Sequence, residues 1–139
     1  MDVIVLIGRI LFAVLFLGSA FGHLTQSAAM AGYAKSKGVP AAQAAVILSG
    51  LLILFGGVSI LLGLWPDLGA LAIVLFLIPT AVLMHAFWRE RDPMTRQMEQ
   101  VQFMKDTALA GAALALFGFF AYVGDELGYT LTGPAFNLS

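Results

Sequence analysis

Four long apolar stretches constrain this chain more than anything else in it. They cover residues 3–22, 41–64, 68–88 and 104–124, and a tail follows over residues 125–139. A membrane-crossing helix needs about 20 residues at roughly 1.5 Å each. The first stretch is interrupted by one charge, Arg9, and the second by none. The third has only His85 as an ionisable group, near its end; the fourth is uncharged from residue 107 onward. The runs do not alternate with period two, and barrel strands are only about 10 residues long. Helices satisfy their backbone internally, as lipid demands. Composition agrees: 60% of the 139 residues are apolar and 11% charged, against roughly 25% charged in a soluble domain. The same numbers exclude a disordered chain.

The reading is a single all-α domain, an integral membrane four-helix up-down bundle. Residues 18–20 (Gly-Ser-Ala) offer a signal-peptidase site, but the start is acidic (Asp2) and Arg9 sits inside the apolar core. The first stretch is therefore expected to be a retained helix. Trp65-Pro66-Asp67 joins the second and third spans, which forces an antiparallel hairpin. Between spans one and two, Thr25 is placed to cap a short interfacial helix through Ala34, with Gly38 and Pro40 as stops. Ala28, Met30, Ala31 and Tyr33 give it a weak apolar face. Asp92-Pro93 has the form of an N-cap followed by Pro at the first helical position, so the fourth helix is expected to start near Pro93 and run about 30 residues. Met94, Met98, Val101 and Lys105 share one face of that extension. Packing on the first-loop helix is the expected use of this face, and a partner surface the alternative.

Charge predicts topology. The two longer connections hold Lys35, Lys37, Arg89, Arg91, Arg96 and Lys105; the opposite side holds none and carries Asp2, Asp67, Asp125 and Glu126. Such asymmetry predicts both termini on the non-cytoplasmic side of a cell inner (plasma) membrane. Small residues mark helix contacts in lipid. They abound in span two (Ser49, Gly50, Gly56, Gly57, Ser59, Gly63) and in span four (Ala108, Ala110 to Ala113, Ala115, Gly118). These two spans are expected to lie deepest, and small-residue faces left over permit a homo-oligomer.

Few residues can carry chemistry. The absence of Cys excludes disulfides, thiolate metal sites, iron–sulfur clusters and covalent haem. A net charge of −1 leaves no basic patch for nucleic acid. Arg9 lies roughly 9 Å into its helix. A structural ion pair with Asp2, Asp67, Asp125 or Glu126 is expected, and an anion or quinone contact is the functional alternative. His23 and His85 end the first and third helices, which run the same way, so both imidazoles reach one membrane face. Gln102, Lys105 and Asp106 begin the embedded part of helix four there. This polar cluster reads as a proton relay, a quinone site, a bis-His haem site or interfacial side chains solvated by head groups.

The chain resembles the DoxX family of small bacterial membrane proteins. Ile7-Gly8-Arg9-Ile10-Leu11-Phe12 through Gly18 resembles the family's first helix. Tyr33-Ala34-Lys35-Ser36-Lys37-Gly38-Val39-Pro40 resembles the loop before its second helix, and Ser49-Gly50-Leu51-Leu52-Ile53-Leu54-Phe55-Gly56 its glycine-rich second helix. Phe103-Met104-Lys105-Asp106-Thr107-Ala108-Leu109-Ala110-Gly111 is similar to its "Phe-x-Lys-Asn-x-x-Leu-x-Gly". Gly133-Pro134 with Leu138-Ser139 resembles its tail. Two departures stand out: Ser49 where the family often has an acidic residue, and Asp106 for the usual Asn. The resemblance implies a four-helix bundle and association with redox systems, as a subunit of a thiosulfate:quinone oxidoreductase or of a complex resisting oxidative stress. Distant relatives of this shape act as chaperones or cargo receptors. The expectation is therefore an accessory subunit, embedded in the lipid bilayer beside a soluble or membrane oxidoreductase subunit, with no covalently bound cofactor and quinone as the candidate ligand. The alternatives are a scaffold for partner proteins and a lipid or small-molecule carrier.

Overall fold

The computed structural model describes residues 1–138; Ser139, the end of the tail motif, lies outside them. Five helices carry the fold: α1 (Asp2–Thr25), α2 (Ser27–Ser36), α3 (Ala42–Leu62), α4 (Pro66–Met84) and α5 (Pro93–Val123). Short 3₁₀ turns cover Phe87–Arg89 and Gly124–Glu126. Helices α1, α3, α4 and α5 are long and apolar enough to cross a membrane. The chain is thus an all-helical, multi-pass membrane bundle, with α2 as the short helix between the first two spans.

Local signals explain most boundaries. The Asp92 carboxylate accepts the Thr95 N–H at 2.9 Å and Pro93 opens α5. That hydrogen bond holds the exposed Asp92 carboxyl below its ordinary range. The 31-residue helix that follows is roughly 46 Å long at helical rise, well over a hydrocarbon core of about 30 Å. Thr25 does not cap α2 as expected. Its hydroxyl donates back to the Phe21 carbonyl, closing α1, and Gln26 stands at the junction. A hydroxyl in a helix reaches the carbonyl four residues back more easily than it caps a helix two residues on. Helix α4 stops at Met84, a few residues before the expected end of its span, with His85 beyond it.

Packing runs α1 on α3, α3 on α4 and α4 on α5; among the described residues α1 and α5 share no extensive backbone contact. The core joins Phe16 and Ala20 to Ile53 and Ile60, to Ala70, Ile73 and Leu77, and to Ala110 and Ala113. Helix α3 reaches its neighbours through glycines on two faces. A Cβ at Gly57 would stand 2.9 Å from Leu17, and one at Gly50 would stand 2.8 Å from His23, both on α1. A Cβ at Gly56 would stand 2.7 Å from Ile73 of α4, and one at Gly69 of α4 would overlap the Ser59 side chain. Deep placement was expected of spans two and four, and for α3 it holds. For α5 it does not: Ala108, Gly111, Ala112 and Ala115 are exposed. The close crossing is with α4, whose Gly69, Ala70 and Ala72 are buried. A small residue admits a neighbour but does not summon one, and the small residues that α5 buries are Ala110, Ala113 and Ala121.

The Met94, Met98 and Val101 face also departs from expectation. It is exposed (70%, 64% and 61%) rather than packed on α2. The opposite face turns inward, because Glu99 and Phe103 find partners there. Helix α2 instead buries Ala31 and Ala34 against Val46, with Met30, Val39 and Met84 around them.

The glycine crossing gives a direct check. Gly69→Val forces a branched side chain into Ser59 and the α3 backbone, and we expect a loss on the order of 2 kcal/mol. Gly111→Ala meets open space and should be neutral or stabilising by up to roughly 1 kcal/mol. Unfolding of the two variants in mild detergent, followed by tryptophan fluorescence, measures both.

Candidate functional site

The polar residues of the spans fall into two groups at opposite ends of the bundle. Arg9 belongs to the Pro66 end and is 1% exposed. It pairs with none of the expected carboxylates. Its Nε donates to the Ile60 carbonyl at 2.8 Å, Nη2 to Leu61 at 2.8 Å and Nη1 to Tyr129 at 2.9 Å. The reason lies in α3. The last carbonyls of a helix have no partner within it, and in lipid water cannot serve them. Ser59 O takes the N–H groups of Gly63 and Leu64. Arg9 takes Ile60 and Leu61. The Leu131 and Thr132 N–H groups take Leu62 and Gly63. A cation is also favoured at the negative end of a helix dipole. Arg9 therefore caps α3 and pins the tail, and does not reach the histidines.

Asp67, another expected partner of Arg9, is fully buried and holds the tail instead. Its two oxygens accept the Ala135 and Phe136 N–H groups at 2.8 and 2.7 Å.

The other group is built around His85. Nδ1 lies 2.7 Å from Glu99 Oε2, and Nε2 lies 3.6 Å from Asp106 Oδ2. The imidazole thus stands between two carboxyl groups seven residues apart, two turns along one face of α5. Behind it, Glu99 Oε1 accepts from Lys37 Nζ at 2.9 Å and from the Tyr33 hydroxyl at 3.4 Å. Lys37 Nζ also donates to Glu90 at 3.0 Å. Partial burial opposes charge on Lys37, but the bonds from Glu99 and Glu90 outweigh it and hold the ammonium pKa above the ordinary lysine value. His23 is held separately: its Nδ1–H donates to the Ser19 carbonyl at 2.8 Å, since a carbonyl can only accept. Its ring meets Phe76 edge-on. Gly50 permits this by letting the His23 backbone region approach α3.

Of the six residues the sequence singled out, four come to one place. His23, His85, Lys105 and Asp106 line a cavity of about 870 Å³, Lys105 from an exposed position. Gln102 is exposed, bonded to Lys105 and off the cavity wall. Arg9 lies at the other end. Sequence reasoning missed Glu99, Glu90, Lys37 and Tyr33 as members of this cluster. The seven-residue spacing of Glu99 and Asp106 was the available signal; nothing local placed Lys37 beside them.

The cavity is mainly apolar, walled by residues such as Phe16, Leu52, Phe76 and Leu109. It reaches Leu15, Leu48 and Leu75, which are exposed on the bundle's flank. Leu15 is eight residues from His23 and Leu75 ten from His85, so the cavity extends roughly 12–15 Å along the helices at helical rise. Pro79 lies on the wall within α4; having no N–H, it offers no helical hydrogen bond to the Leu75 carbonyl. Among the described residues no cluster of three or more His, Asp or Glu side chains is arranged to hold a metal ion.

Comparison with known proteins gives a consistent picture. The DoxX family model matches residues 4–86. The chain is 33% identical over 128 residues to the inner membrane protein YqjF of Escherichia coli (strain K12), covering 91% of this chain and 92% of that protein. No solved structure matches. The family match includes Arg9, His23 and His85; Glu99 and Asp106 lie beyond it.

The role of Arg9 can be tested without any ligand. Arg9→Met leaves the Ile60 and Leu61 carbonyls unpaired, which should cost about 3 kcal/mol of stability. Arg9→Lys keeps the charge without the fork and should recover part of that loss. Thermal unfolding in detergent, with proteolysis of the tail read alongside, distinguishes capping from an anion-binding role.

Proposed function

Since the chain belongs to the DoxX family of membrane proteins, we propose that it is an accessory, non-catalytic subunit of a redox-linked complex in the inner membrane, and that its cavity holds a quinone. One observation carries the reading: a long apolar cavity reaches the flank of the bundle and ends at His85, Asp106 and His23. An isoprenoid tail suits its Leu and Phe walls, and a head group with two carbonyl oxygens suits the imidazoles and the nearby Lys105. Ligand sites of this kind are mostly apolar with a few polar groups that fix orientation. With no Cys, electrons would come from a partner or from the quinone itself. The charge asymmetry of the connections supports an orientation with both termini away from the cytoplasm. The inner-membrane placement is supported by the relative in Escherichia coli.

A second reading, a scaffold for partner proteins, is favoured by the exposed Met94, Met98 and Val101 face, which lies on the part of α5 that precedes the expected span. Co-purification in mild detergent separates the two. A stoichiometric oxidoreductase supports the first reading, and assorted membrane proteins support the second.

The quinone site has its own test. Titration of a short-tailed ubiquinone onto the detergent-solubilised protein should show saturable binding, and His85→Ala should weaken it about tenfold, the loss of one hydrogen bond to a neutral group. Unchanged affinity in this variant would remove His85 from the site.

A further inference from the structure

His85 does more than face the cavity: it connects the cavity to the polar surface. Asp106 and His85 both line the cavity, whereas Glu99 lies off its wall on the far side of the ring. Glu99 in turn meets Lys37 and Tyr33, and Lys37 meets Glu90, which is half-buried at the bundle's end. The chain of groups from surface to cavity is therefore Glu99, His85, Asp106. Every step in it ends on an atom that can take or give a proton.

We infer that filling the cavity with an uncharged ligand head group draws about one proton into the Glu99–His85–Asp106 chain, so that occupancy and proton uptake are linked. This deepens the quinone reading above and rests on it. The charged and titratable groups around the chain set the expectation. Lys37, at the end of α2, serves Glu90 and Glu99. Lys105 of α5 donates to Gln102. His23 of α1 donates to its own helix. Tyr33 of α2 reaches Glu99. Asp106 is left with the His85 ring as its one titratable partner within 4 Å among the described residues. An uncharged ligand on the cavity side displaces water from that pair. Removing water from a charged group favours its neutral form, and the neutral form of a carboxylate holds a proton.

The transfer balances with no electrons moved. A proton from solvent enters through the Glu99 carboxyl and passes to His85 Nδ1. The ring releases the proton on Nε2 to Asp106 Oδ2 once their 3.6 Å separation closes to hydrogen-bond distance, and tautomer exchange restores the imidazole. Solvent loses one proton and the protein gains one.

The experiment is calorimetry of a short-tailed ubiquinone binding to the intact protein in mild detergent. Repeating it in buffers of different ionisation enthalpy counts the protons exchanged. We expect close to one proton taken up per quinone near neutral pH, with Kd rising up to tenfold per pH unit. Asp106→Asn removes the acceptor, so the count should fall to near zero and Kd should become flat with pH. A pH dye in weakly buffered solution, mixed with wild-type protein and the same quinone, reads the uptake independently of any variant. Quinone binding with no proton uptake overturns this inference and leaves the cavity reading standing. So does an uptake that persists in Asp106→Asn. No binding at any pH from 5 to 9 overturns both.

Discussion

The bundle hangs on how α3 ends. Five successive carbonyls, from Ser59 to Gly63, close α3 in a setting where lipid offers no water to donate to them. Each is met: by the Gly63 and Leu64 N–H groups, by Arg9, and by the Leu131 and Thr132 N–H groups of the tail. This one requirement explains why an arginine lies within an apolar helix, why its fork is needed, and why the tail folds back. It also explains the position of Asp67, which holds the same tail by two further N–H groups. A carboxylate partner for Arg9 would have neutralised its charge but left the carbonyls of α3 unmet. Unmet buried acceptors cost about as much as any one ion pair returns.

With α3 fixed at that end, its glycines decide the rest. Gly50 and Gly57, seven residues apart, form one face that admits α1, and Gly56 forms another that admits α4. The approach of α1 at Gly50 sets His23, and α4 presents His85 just past its last turn, at the C-cap. Helix α5 follows α4 and brings Glu99 and Asp106 to either side of that ring. The separation of α1 from α5 is part of the same arrangement, since residues of both line the cavity.

Much of this was legible in the chain, for definite reasons. Spans are set by length and hydropathy, and the start of α5 by Asp92-Pro93, both of which are local. Parallel first and third helices put His23 and His85 at one end, which follows from counting crossings. What was not legible depended on rotation about helix axes. Gly111 and Gly56 look alike in sequence, but only Gly56 faces a helix. Arg9 was expected to seek a carboxylate because side-chain charges are visible in a sequence and carbonyls left over at a helix end are not. Lys37 joined Glu99 through a fold-back across 62 residues of chain, for which no local pattern speaks.

The two ends are thus chemically unlike, and the difference bears on what can pass. At the Pro66 end, polar side chains are spent on backbone: Arg9 on carbonyls, Asp67 on N–H groups. Such bonds are fixed by the fold and offer no titrating partner that can exchange a proton along a line. At the His85 end, side chains meet side chains, and acid faces base: Lys37 with Glu90 and Glu99, then His85 with Glu99 and Asp106. The cavity opens toward this second group and toward the flank of the bundle. A ligand held there is therefore in touch with one membrane face and with lipid, while the tail and Arg9 occupy the other end. On the proposed reading, a bundle so built suits a site loaded from the membrane and served by protons from one side.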